Sequence, residues 1–233
     1  MRLAETSAAA RADAQASAAV PAGQHRPSDP RFDAALAAFA VGRAAVSTAR
    51  DDVELEDWPA PRKLAPYAFA LAATAYRDGE EAGNGKLMLL YEPDGRDGWT
   101  GTFRVVCQVQ ADVEEEMAAD PLLGEVGWSW LSDALDQHAP GYAAASGTVT
   151  RVITEGYGSK CDDPPSTGFE LRASWCPADG ETGPGSLADE LSGAVVAWCD
   201  LLATAAGLPA QGTVAIGRPS LTRAGGPSGR RRR

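Results

Sequence analysis

With 233 residues, 44% of them hydrophobic and 23% charged, the chain is long enough to bury a core without disulfides or metals. The formal net charge of −11 is unevenly spread: residues 30–217 hold 12 basic residues against 29 acids, a net of −17, and residues 218–233 hold six arginines and no acid. So acidic a body excludes nucleic-acid binding over most of its surface. No uninterrupted run of 18 apolar residues marks a membrane span.

Residues 1–29 are mostly Ala, Ser, Gln and Pro, with no large apolar set to bury, and read as a disordered leader. Polar residues such as Glu5, Arg11 and Asp13 interrupt the Ala-rich part, so it lacks the apolar segment of a signal peptide, and the cytoplasm is the default location. Asp29-Pro30 opens the first helix, an N-cap followed by the residue best suited to the first helical position. Phe32, Leu36, Phe39, Arg43 and Val46 recur at helical spacing, and the helix ends near Thr48–Arg50.

In Asp51–Trp58, Val53 and Leu55 alternate with acids, the pattern of an edge strand with one wet face. No histidine accompanies these acids, so a solvated edge is preferred to a metal site. A proline-rich turn over 59–66 leads into a strand with Tyr67, Phe69 and Leu71 on one face. Asp78 to Gly85 reads as a polar loop. Its Gly83-Asn84-Gly85-Lys86 lacks the complete phosphate-loop pattern and is taken as turn chemistry before the strand Leu87–Tyr91. After a turn at Glu92–Gly95, Trp99 to Ala111 alternates cleanly, with Trp99, Phe103, Val105, Cys107, Val109 and Ala111 inward.

A short helix follows from Asp112, with acids at its positive end. Then comes a helix near 125–139. At 100° per residue Trp128, Leu131, Leu135 and His138 share a face, and Trp130 lies about 200° from Trp128. Trp130 is therefore either covered by a second layer or left as a contact anchor. Ser146 onward and Phe169–Trp175 read as two strands of a hairpin around the loop 156–166. Ser186 with Asp189 caps the last helix, whose apolar stripe runs from Leu187 to Ala205, and Gly207 and Pro209 stop it. Residues 218–233, ending Arg230-Arg231-Arg232-Arg233, read as a disordered tail.

Several runs resemble an actinobacterial family catalogued as domain of unknown function number three thousand: Leu64–Ala68, Asp120–Leu123, Glu125–Leu131, Ala144–Arg151, Arg172–Trp175 and Thr204–Pro209. They come in the family's order and cover roughly residues 30–212, whereas the leader, the Lys160–Ser166 loop and the Arg tail are less typical. The resemblance implies a cytoplasmic actinobacterial protein, with family genes lying near a ribonuclease D-like gene. It implies no activity, cofactor or catalytic residue.

The expected architecture is one two-layer α+β domain over 30–217: a five- to six-stranded, mostly antiparallel sheet with about three helices packed on one face. No catalytic motif, cofactor motif or metal-ligand spacing is present. His138, alone of its type in the folded region, reads as a helix-end residue rather than a base. Cys107 and Cys199 read as small buried hydrophobes, and Cys161 and Cys176 lie near loops where a bridge is disfavoured. The residues favour a non-catalytic binding or adaptor module with another protein as partner, using Trp58, Trp128 or Trp130. The alternatives are a small-molecule enzyme using carboxylates in a sheet–helix pocket, and an accessory of RNA metabolism contacting RNA through Arg230, Arg231, Arg232 and Arg233.

Overall fold

A computed structural model describes residues 28–61, 63–178 and 185–210. The expected leader up to residue 27 and the arginine tail, Arg230–Arg233 included, lie outside the described residues.

Helix α1 (Pro30–Ala49) starts where expected, because the Asp29 carboxylate accepts from the backbone N–H of Arg31 and Phe32. Its buried stripe is Phe32, Ala35, Ala38, Phe39, Gly42 and Val46. Among the described residues α1 alone is long and apolar enough to cross a membrane, a test that a core helix also passes. Alanine supplies much of that apolar character, and the stripe packs Phe32 against Tyr67 and Tyr91 and Phe39 against Phe69.

Among the described residues six strands follow: β1 (Val53–Trp58), β2 (Tyr67–Arg77), β3 (Glu80–Tyr91), β4 (Phe103–Asp112), β5 (Ala143–Thr154) and β6 (Ser166–Cys176). They form one sheet in the order β1-β2-β3-β4-β6-β5, every neighbouring pair antiparallel. The remaining helices are α2 (Glu115–Ala119), α3 (Leu123–His138) and α4 (Leu187–Ala205). The class is α+β, and the edge position read for β1 holds. Two arginines of the α1 region clamp that edge: Arg43 pairs with Asp57 at 2.6 Å and Arg50 with Asp52 at 2.8 Å.

Two local readings are corrected. The expected loop over Asp78–Gly85 is only the two-residue turn Asp78-Gly79, at φ +55° and +83°, so Gly83-Asn84-Gly85-Lys86 lies inside β3. Those glycines admit both the neighbouring strand, whose Gln110 and Gln108 carbonyls would lie 2.8 Å from a Cβ on Gly83 and Gly85, and the last helix. A Cβ on Gly85 would lie 3.0 Å from Trp198 Nε1, and one on Gly83 would lie 3.3 Å from Leu202 Cδ1. The Trp198 indole thus lies close against the strand and donates to the Gln108 carbonyl at 3.3 Å. The second correction concerns Trp99. It lies in the loop before β4, because Gly95, Gly98 and Gly101 all adopt positive φ and keep the chain out of strand geometry until Phe103.

Helix α4 is held by the two elements beside it through glycines. Gly42 of α1 abuts the Ser192 carbonyl, and Gly193 of α4 abuts the His138 carbonyl at the end of α3, so neither site has room for a Cβ. A capping box of Ser186 and Asp189 starts α4, and Gly207 at φ +68° follows its end. Trp175, Trp198, Phe39, Phe103 and Phe169 are fully buried at the centre of the core.

Candidate functional site

Helix α3 meets the core through Gly127, Leu131, Ala134 and Leu135. Gly127 rests on the Phe169 ring, which leaves no room there for a side chain. The two indoles of α3 therefore straddle this seam, and both are half-buried. Of the two alternatives for Trp130, full cover by a second layer or partial exposure, the structure has the partly exposed one. Trp128 reaches Gly147 of β5, and Trp130 packs against Phe169 with ring centroids 5.7 Å apart at 56°.

Trp130 also walls a cleft of about 440 Å³. From α3 the cleft takes Trp130, Asp133, Ala134, Gln137 and His138, which share a face at helical spacing. From α4 it takes Asp200, Ala203 and Thr204, and the segment Leu208–Ala210 adds a rim. His138 is the last residue of α3, and its Nε2 lies 2.9 Å from Asp200 Oδ2, joining the two helices across the cleft. Both side chains are only about a quarter exposed, at 23% and 26%.

Arg50 also lines the cleft, but its guanidinium is committed elsewhere. Nε and Nη2 donate to the two carboxylate oxygens of Asp52 at 2.8 and 2.9 Å, and Nη2 donates to the Pro209 carbonyl at 3.2 Å. The hydrogen bond to Asp52 is the largest influence holding the Arg50 pKa above its ordinary value, with Asp200 adding to it at long range. The same bond holds the Asp52 carboxyl below the usual carboxylate range. The cleft thus combines an aromatic wall, a fixed imidazole–carboxylate pair and the exposed Asp133 carboxylate.

The other tryptophan singled out from sequence lies elsewhere. Trp58 is at the opposite end of β1 from Arg50, 41% exposed, with Lys86 Nζ 4.4 Å from its ring centroid. The structure does not bring Trp58 or Trp128 into the cleft lining. Among the described residues no group of three or more His, Cys, Asp or Glu side chains is placed to hold a metal. All four cysteines are free, with only Cys161 exposed. Burial pushes the Cys107 thiol up to about 12 and raises that of Cys199 as well. Glu190 is buried at 2% exposure, and both its carboxylate oxygens accept from the Gly141 N–H. Burial raises its pKa.

The His138–Asp200 pair and the place of Asp133 in the cleft lining escaped sequence reasoning. His138 and Asp200 are 62 residues apart, on helices whose contact no local pattern encodes. The one available signal was the i, i+3 spacing of Trp130 and Asp133 on a helix already expected.

A family profile described as "Protein of unknown function (DUF3000)" matches residues 29–215, and the chain belongs to that family. No curated protein and no solved structure matches it.

Proposed function

We propose that this member of the DUF3000 family is a non-catalytic binding module, that another protein is its partner, and that the α3–α4 cleft is its recognition site. The observation that carries the reading is Trp130, a half-buried indole braced by Phe169 on a rigid helix and lining a cleft with polar groups. A tryptophan held in place on one side contributes contact area at little entropic cost on binding, and such residues dominate interface energetics. Trp58 is a weaker candidate, because Lys86 already occupies a position over its ring.

The test is native mass spectrometry of the full chain purified gently from its host, beside Trp130→Ala and Trp58→Ala. Circular dichroism and thermal melts check that both variants fold. The expected result is a second polypeptide that Trp130→Ala loses at least tenfold and Trp58→Ala keeps. A partner retained equally by folded Trp130→Ala would overturn the reading.

A second reading, an enzyme using acid–base chemistry in the same cleft, draws on the His138–Asp200 pair. A carboxylate 2.9 Å from an imidazole fixes the ring's orientation, which a general acid or base requires. Turnover of a small molecule that His138→Ala abolishes and Trp130→Ala only weakens would favour this reading over the first.

A further inference from the structure

We propose that the group this cleft takes from its partner is an arginine side chain, its guanidinium lying flat on Trp130 and paired with Asp133 in the field of Asp200. The inference rests on the cleft being the recognition site and adds the chemistry of what enters it.

The charges lining the cleft point to a cation. Among the described residues its carboxylates are Asp133 and Asp200, and its one permanent cation is Arg50. Arg50 is 5% exposed in its side chain and bound to Asp52 through two nitrogens, so its charge is already matched. With His138 neutral, the remaining lining carries two negative charges; with His138 protonated it still carries one. The surrounding body, net −17 over residues 30–217, strengthens that attraction and speeds the approach of a basic segment.

Geometry favours a guanidinium over an ammonium. Trp130 and Asp133 are one helical turn apart on α3, so a flat cation stacked on the indole lies beside the carboxylate. Arginine alone offers both a planar face for an aromatic ring and a fork of donors for a carboxylate. Phe169 braces Trp130, and the His138 bond restrains Asp200, so part of the ordering cost is met before the ligand arrives. Carboxylates and phosphates meet like charge here, and a purely apolar side chain would leave Asp133 and Asp200 desolvated beside it.

The probe is the capped tripeptide acetyl-Gly-Arg-Gly-amide, compared with the same peptide bearing citrulline, which keeps the shape and lacks the charge. Binding to the full chain is followed by the indole N–H resonance of Trp130 in nitrogen-15 spectra, assigned with Trp130→Phe. The expected result is a saturable shift of that resonance by the arginine peptide, at least tenfold weaker binding of the citrulline peptide, and a several-fold loss in Asp133→Asn. Asp133 is exposed, so this variant keeps the fold. Equal binding of the two peptides, no effect of Asp133→Asn, or no shift of Trp130 would overturn the proposal. If Trp130→Ala loses its partner yet the arginine peptide does not bind, the cation assignment falls and the binding-module reading stands. If the arginine peptide saturates the cleft while partner retention ignores Trp130, the protein-partner reading falls instead.

Discussion

Replacing Gly193 with alanine pits a local preference against a tertiary contact. In an isolated helix the change stabilises by about 1 kcal/mol. Here Gly193 lies in the middle of α4, where a Cβ would stand 2.6 Å from the His138 carbonyl carbon and 3.3 Å from the Ala139 nitrogen, and closer still to the His138 oxygen. Ordinary contacts begin near 3.4 Å, so the carbon contact alone needs the end of α3 to retreat by roughly 0.8 Å, and the closer oxygen needs more. These are backbone atoms of a helix terminus and cannot rotate aside. Such overpacking costs about 1–3 kcal/mol. The same retreat stretches the 2.9 Å bond from His138 to Asp200, a part-buried bond to a charged group worth about 1.5–3 kcal/mol when fully lost. Set against the helical gain, the expected net destabilisation is about 1.5–5 kcal/mol when the bond is lost outright. Urea melts of the wild type, Gly193→Ala, His138→Ala and the double variant measure it. The two substitutions should be non-additive by about 1 kcal/mol, because both act on the same helix junction. A Gly193→Ala protein as stable as the wild type, or more so, would refute the close approach of α3 to α4 on which the cleft depends.

Asp52→Asn tests the Arg50 clamp. The Asp52 carboxyl is held below its usual range by Arg50, so its stabilisation is present above the unfolded value near 4 and is lost as pH falls through the lower folded value. The variant should be less stable by about 2 kcal/mol at pH 7. The gap should close toward pH 3 in urea melts, and a gap independent of pH would contradict the assignment. Thiol titration with an aromatic disulfide should find one fast-reacting cysteine in the native chain, removed by Cys161→Ser, and four after denaturation. Fast reaction of a second thiol would place Cys107, Cys176 or Cys199 outside the core.

Much of the fold was legible because its determinants are local. Asp29-Pro30 and the Ser186–Asp189 box start helices through backbone groups within three residues, and Gly207 ends one through its own φ. The alternation from Phe103 to Ala111 describes which side chains of β4 are buried. The family was legible too, through runs in a characteristic order. Misreadings came where a residue serves a distant partner. Gly83 and Gly85 resembled a loop because part of their purpose, admitting Trp198 and Leu202, lies more than 100 residues away. Helical periodicity placed Trp130 relative to Trp128, yet it carried no information on what stands opposite either ring. Phe169 behind Trp130 and Asp200 beside His138 are set by helix and strand packing through glycine contacts at Gly127 and Gly193. A 3.6-residue period fixes directions within one helix, whereas a cleft needs the relative placement of two, and only close packing of the whole chain supplies that.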